Sequence, residues 1–154
     1  MVGLVAVRRR GLRRASGGVF EVEVAAERGC VPGVRRGVRE WLERGGGGVA
    51  VGELEVVVSE LVTNAVLYSG AGSVVVAGRR SCGVVRLEVR DGGRFVPPCG
   101  EPDLLATGGR GLVLVGALVE GLGGRWGFVD GVGVWVEVPL SAAADGVNSL
   151  RGEG

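Results

Sequence analysis

Apolar residues recur at helical spacing in three stretches of the sequence. The first begins near Pro32 and ends at the glycines of residues 45–48, the second ends near Ser69, and the third follows Gly111. We therefore predict three helices. Their apolar positions are Val34, Val38, Trp41 and Leu42; Leu54, Val57, Val58, Leu61, Ala65 and Tyr68; and Leu112, Val115 and Leu118.

Other segments alternate between apolar and polar residues or are short and rich in valine, which predicts strands. Asp130-Gly131 is typical of a turn between the last two strands, and three prolines in residues 94–107 favour a loop. The order β-α-α-β-β-loop-α-β-β predicts an α+β fold, a two-layer sandwich with helices on one face of a mixed or antiparallel sheet. The predicted strands are residues 19–24, 73–77, 85–91, 124–129 and 134–138.

The length of 154 residues fits one domain with a substantial core. Residues 1–16 contain five arginines and no acid, so we expect a basic, disordered arm before a domain at residues 17–141. Residues 142–154 are rich in glycine, alanine and serine and are expected to form a flexible tail. The net charge of +1 gives no global attraction to nucleic acid or to a membrane surface.

The composition excludes several kinds of active site. All 18 basic residues are arginine, and histidine and lysine are both absent. A Ser-His-Asp triad, a phospho-accepting histidine, a Walker A lysine and a protein-kinase strand lysine are therefore impossible. A nucleotide enzyme with this composition must hold phosphates with Mg²⁺, backbone amides and arginine.

The three cysteines, Cys30, Cys82 and Cys99, are odd in number and form no C-x-x-C pair. This spacing favours free thiols in a reducing compartment. The apolar residues at the start precede the arginines, which reverses the order of a secretory signal, and no run approaches the length of a membrane span. We expect a cytoplasmic protein.

Glu60 and Asn64 carry the first candidate chemistry. They are four residues apart beside the apolar stripe of the second helix, so they share a face at the border of the core. The carboxylate and amide oxygens are ligands suited to Mg²⁺, and the carboxylate can also act as a general base. Asn64 is the one asparagine outside the tail. The alternative is an acid and an amide on a solvated helix face.

Two glycine-containing segments follow. Asp91 and Gly93 end a strand, and Gly109, Arg110 and Gly111 open the third helix. A helix start offers its backbone amides to phosphates. Taken singly, these glycines can be turn formers, Asp91 a strand-end cap and Arg110 an exposed residue of the helix start.

In this order, the three segments resemble the nucleotide-binding boxes of the family that joins gyrase B, mismatch-repair and chaperone ATPases, and histidine kinases. Over residues 18–140, the chain looks most like the small anti-sigma-factor serine/threonine kinases of bacteria. The resemblance implies the Bergerat-type ATP-binding fold and ATP and Mg²⁺ as cofactors. It assigns Glu60 as catalytic base, Asn64 as metal ligand and Asp91 as adenine acceptor. Gly93 lets the adenine ring approach, and residues 109–111 bind phosphates.

The resemblance also implies protein partners: an anti-anti-sigma-type protein as phospho-acceptor, a sigma factor, or both, and a possible homodimer. We expect no direct binding of nucleic acid or membrane. Two alternatives stay open, a nucleotide-gated module that binds a partner without phosphorylating it and a simple ATPase. The intact Glu60 favours the kinase, because a pure binding module does not need a base.

Overall fold

The computed structural model describes residues 18–68, 72–91, 109–129 and 133–140. The predicted arm, tail, proline-rich loop and Asp130-Gly131 turn lie outside these ranges, as does Cys99. A short 3₁₀ turn at Arg28–Cys30 precedes the first helix. In chain order, the other elements are β1 Val19–Ala25, α1 Val31–Gly45, α2 Val51–Tyr68, β2 Ser73–Ser81, β3 Val84–Asp91, α3 Gly109–Gly121, β4 Arg125–Val129 and β5 Gly133–Pro139.

The strands form one five-stranded sheet in the order β1-β2-β3-β5-β4, and every neighbouring pair is antiparallel. The register places the buried residues of neighbouring strands opposite one another, so one face of the sheet is apolar and meets the helices. The α+β fold predicted from the sequence is confirmed, and the sheet is antiparallel. The buried strand residues are Val22, Val24, Val74, Val76, Val85, Leu87, Val89, Val136 and Val138.

The core positions predicted for the helices are also found in the interior. On α1 and α2, Val38, Leu54 and Val58 are fully buried, and Val115 of α3 is equally inaccessible. Ala65 and Leu112 pack against this cluster from its margin. The side chain of Tyr68 lies outside the described residues.

Strand β2 is four residues longer than the sequence analysis predicted, because it continues from Ala77 to Ser81. These extra residues are held by α1. A Cβ atom at Gly78 would lie 2.7 Å from the Trp41 ring, so glycine lets the indole pack on the strand. Arg80 donates hydrogen bonds to the carbonyls of Leu42 and Gly46 at the C-terminal end of α1. Its burial lowers the pKa of this guanidinium.

The opposite face of the sheet carries an ordered cluster of charges. Glu137 of β5 accepts hydrogen bonds of 2.9 Å from both Arg86 and Arg125. Both guanidinium groups also lie over the Trp135 ring, at 4.6 and 5.7 Å from its centroid. We call Arg86, Arg125, Trp135 and Glu137 the outer cluster.

The two cysteines in the described residues are free. Cys30 is buried, and this burial raises the pKa of its thiol, whereas Cys82 is exposed in the turn between β2 and β3. This fits the prediction of thiols without a disulfide framework for that part of the chain. Within the described residues, no helix is both long enough and apolar enough to cross a membrane.

Candidate functional site

Two contacts on different sides of α2 fix its rotation about its axis. Glu55 is buried, and its carboxylate forms a bidentate ion pair with Arg39 of α1, with N to O distances of 2.7 and 3.2 Å. Five residues further along, the helical turn brings Glu60 roughly 140° around the axis. Glu60 therefore faces away from α1, on the side of α2 that meets α3.

The contact between α2 and α3 is closest at Gly111. A Cβ atom built on Gly111 would lie 2.7 Å from Oε2 of Glu60. The same atom would lie 3.3 Å from Nδ2 and 3.6 Å from Oδ1 of Asn64. The backbone of Gly111 thus occupies the space in front of both functional groups. Any residue with a side chain at this position would displace the carboxylate.

Gly111 is in the first turn of α3, which begins at Gly109. The first backbone N–H groups of a helix have no partner within the helix, and they carry the positive end of its dipole. The start of α3 therefore offers the two features of an anion site, free amides and positive partial charge. The Glu60 carboxylate and the Asn64 amide lie at its edge.

The hydroxyl groups that flank Glu60 on α2 are bound to the helix itself. Ser59 donates a hydrogen bond of 2.8 Å to the carbonyl of Glu55, and Thr63 donates one of 2.7 Å to the carbonyl of Ser59. Both hydroxyl protons are used within α2. The chemistry of this stretch consequently depends on Glu60 and Asn64.

The structure brings together three of the residues singled out in the sequence, Glu60, Asn64 and Gly111. Asp91 is the last residue of β3, where its backbone pairs with Val74 of β2, and its side chain lies outside the described residues. The same is true of the side chain of Arg110, whose backbone belongs to the first turn of α3. Gly93 lies outside the described residues altogether.

The oxygens at this position fit Mg²⁺ bound with a nucleotide. Within the described residues, no group of three or more His, Cys, Asp or Glu side chains could hold a metal ion. Mg²⁺ in nucleotide sites needs no such cage, because it takes most of its ligands from phosphates and water and only one or two from the protein. An amide oxygen and a carboxylate beside Gly111 are hard donors of the required kind.

One feature of this region was missed in the sequence analysis. Val56, Leu67, Val113 and Leu114 are exposed apolar side chains on the two helices that carry the site. The sequence contained a signal, since α2 has apolar residues at Val56 and Leu67 outside its core stripe. This signal is weak, because single exposed apolar residues are common on protein surfaces.

One family model and one solved structure are similar to this chain. Residues 24–127 match the family model described as "Histidine kinase-like ATPase domain". The structure is similar to the histidine kinase domain from the Erythrobacter litoralis EL346 blue-light activated histidine kinase, with 23% sequence identity, a TM-score of 0.49, and coverage of 85% of this chain and 70% of that chain. No curated protein matches the chain. The matched family model covers most of the domain and implies ATP binding. The chain belongs to the histidine kinase-like ATPase family.

Proposed function

We propose that this protein is an ATP-dependent serine/threonine kinase of the anti-sigma-factor type, which transfers the terminal phosphoryl group of ATP to a protein partner. The observation that carries the proposal is the contact of Gly111 with both Glu60 and Asn64. It puts a helix N-terminus, a metal-binding amide and a carboxylate within one small volume, and phosphoryl transfer needs all three.

In this mechanism, Glu60 is the general base. The serine hydroxyl of the partner gives its proton to the Glu60 carboxylate while its oxygen forms a bond to the terminal phosphorus. The bond between that phosphorus and the bridging oxygen breaks, and ADP leaves with the electron pair. The role suits the position of Glu60, which is partly exposed at the edge of the anion site and accessible to a second protein.

The remaining site residues bind and orient the nucleotide. Asn64 would supply an amide oxygen to Mg²⁺, and the metal would neutralise charge on the phosphates. The amides of residues 109–111, together with Arg110, bind the phosphate oxygens. Asp91 accepts a hydrogen bond from the adenine amino group, and Gly93 leaves space for the adenine ring.

The resemblance to anti-sigma-factor kinases also implies the partners that we propose. The phospho-acceptor is an anti-anti-sigma-type protein with a reactive serine or threonine, and a sigma factor binds another surface of the fold. A homodimer, a cytoplasmic location and the domain limits at residues 17–141 complete the proposal. They follow from the resemblance to anti-sigma-factor kinases.

The decisive experiment separates nucleotide binding from transfer. Glu60→Gln preserves the shape of the side chain but removes the base, so we expect nearly unchanged ATP affinity and a loss of phosphoserine formation by a factor on the order of 10² or more. Transfer is measured with labelled ATP and candidate anti-anti-sigma proteins, and affinity by calorimetry. Glu40→Gln, at an exposed position of α1 away from the site, is the control and should transfer at the parental rate.

Each outcome selects one function. ATP binding without transfer by the parent protein indicates a nucleotide-gated binding module. Phosphate release without a phosphorylated partner indicates a simple ATPase. A Glu60→Gln protein that phosphorylates as well as the parent would contradict the kinase mechanism even if ATP binding were confirmed.

A further inference from the structure

Exposed apolar side chains are concentrated on the two helices that carry the site. Six large apolar residues are exposed in the described part of the chain, and four of them, Val56, Leu67, Val113 and Leu114, lie on α2 and α3. Val113 is the most exposed of the six, at 59%. The two others, Val19 on β1 and Phe128 on β4, belong to the two edge strands of the sheet. The concentration distinguishes the helices from the rest of the described surface.

On α2, the exposed Val56 and Leu67 lie along one stripe of the helix, with Glu60 between them. The residues at positions 53, 56, 60, 63 and 67 alternate in spacing between three and four, so they lie within one side of the helix. All of them are exposed or partly exposed. This spacing allows one partner helix laid along α2 to reach all five side chains, of which Val56 and Leu67 are apolar and the other three are polar.

On α3, Leu114 lies next to the same stripe. Gly111 contacts Glu60, and Leu114 follows three residues later, about one turn along the same side of α3. Val113 is more exposed, but it lies roughly 200° around α3 from Gly111, on the side away from α2. We call Glu53, Val56, Glu60 and Leu67 of α2, together with Leu114 of α3, the α2–α3 seam.

The charge of the seam is negative. Helix α2 contains three glutamates and no basic residue, and Glu53 and Glu60 are the two of them on the seam. In the described residues, the ion pairs involve neither Glu53 nor Glu60. This contrasts with the outer cluster, where Glu137 pairs with both Arg86 and Arg125. An apolar surface with negative charge complements a partner that is apolar and basic.

We infer that the α2–α3 seam is the docking surface for the phospho-acceptor protein, and that it binds an amphipathic helix with apolar residues on one side and arginine or lysine beside them. This rests on the proposed kinase function and specifies its substrate. The stripe fits a helix laid along α2, and the exposed Glu53 selects its basic flank. Docking there brings the acceptor protein to the edge of the Glu60 carboxylate. The same charge disfavours polyanions such as nucleic acids and acidic lipids.

The test uses synthetic helical peptides of equal length, labelled for fluorescence anisotropy. One combines leucine with arginine, a second replaces arginine by glutamate, and a third replaces leucine by alanine. We expect the leucine–arginine peptide to bind at least about tenfold more tightly than either of the others, with an affinity that falls as salt is raised. Equal affinity for the three peptides, or no binding of any of them, would overturn the inference.

Variants then locate the binding surface. Val56→Ser and Leu114→Ser each remove an exposed apolar contact from the seam, so we expect a loss of about tenfold in peptide affinity for each and a near-native fold by circular dichroism. Val19→Ser and Phe128→Ser remove apolar residues that are somewhat more exposed, on the edge strands, and are the controls. An equal loss in the controls, or no loss in the seam variants, would contradict docking at the seam.

ATP affinity, measured in the same preparations, separates this inference from the proposed function. In one outcome, the protein binds MgATP and its peptide affinity depends on the seam, but it transfers no phosphate. This outcome supports the docking surface and contradicts the kinase. If the protein phosphorylates an acceptor, and Val56→Ser and Leu114→Ser leave the rate of transfer unchanged, the kinase is supported and the docking surface is overturned.

Discussion

On the outer face of the sheet, Gly127 lies beneath the indole of Trp135, and between α2 and α3, Gly111 lies beneath the carboxylate of Glu60. A Cβ atom would be 2.9 Å from the indole at the first position and 2.7 Å from Glu60 Oε2 at the second. Both glycines allow a side chain of a neighbouring element to approach the backbone closely. What surrounds the two side chains is different.

In the outer cluster, the charged groups satisfy one another. Glu137 accepts from Arg86 and Arg125, and Arg86 also pairs with Glu88 at 3.4 Å. The hydrogen bond from Arg86, reinforced by Arg125, lowers the pKa of Glu137. The cluster is a network of ion pairs that joins β3, β5 and β4, and it stabilises the sheet.

At Gly111, the neighbours are a helix N-terminus and the amide of Asn64, which leave the carboxylate beside a position suited to an anion. The comparison teaches that a close approach to glycine does not by itself indicate function. It indicates function where the approaching groups face a binding position, and stability where they neutralise one another. Substitutions at the two glycines should therefore have opposite effects.

Gly111→Ala should produce the largest effect, and on activity. The added Cβ would displace the Glu60 carboxylate, and a shift of about 1 Å at a catalytic group is expected to reduce phosphoryl transfer roughly 10²-fold. The displaced atom ends a flexible side chain, so the free energy of unfolding should change by less than about 1 kcal/mol. Transfer assays and urea unfolding check the two quantities. Parental transfer by this variant would show that Glu60 does not need the Gly111 contact.

Gly127→Ala should lower stability and leave ATP binding unchanged. The added Cβ meets a rigid ring that two guanidinium groups contact, so movement of the ring would disturb the cluster. We expect the free energy of unfolding to fall by about 2 kcal/mol, typical of overpacking. ATP affinity at a temperature where the variant is folded should equal that of the parent. A loss of ATP affinity in the folded variant would break the proposed separation between the two regions.

Glu137→Gln should produce a smaller effect that depends on pH. The pKa of Glu137 is lower in the folded protein than the ordinary value of about 4.3, so the ionised group stabilises the fold fully above that value. This contribution is lost as the pH falls through the lowered, folded-state pKa. The variant should be less stable than the parent by about 1.5 kcal/mol at pH 7, and the difference should shrink in acid. Unfolding curves across this pH range that keep a constant gap would contradict the assignment.

The sequence predicted most of the fold because its elements follow local patterns. The valines of the strands and the spacing of Val34, Val38 and Trp41 specify which sides are buried, and the observed core agrees. The end of β2 could not be predicted in this way. Gly78 and Arg80 are poor strand signals, and they are strand residues because Trp41 and the C-terminal end of α1 pack on them from a distant part of the chain.

The candidate site was predictable in part for a related reason. Glu60 and Asn64 are one turn apart on one helix, so sequence spacing alone places them together. Their contact with Gly111 joins two helices, so periodicity could not predict it, and the family resemblance implied only that the three residues serve one nucleotide site. The outer cluster depends on the register of three strands, which places Arg86 opposite Glu137, and no local pattern fixes that register.

The central claim is that Asn64, Glu60 and the start of α3 form the position at which MgATP binds. Calorimetry of the parent protein and of Asn64→Ala, each titrated with ATP in the presence and absence of Mg²⁺, tests it most directly. We expect Mg²⁺-dependent ATP binding by the parent, and its loss in Asn64→Ala while circular dichroism shows an intact fold. Equal ATP affinity of the two proteins with Mg²⁺ present would contradict the account.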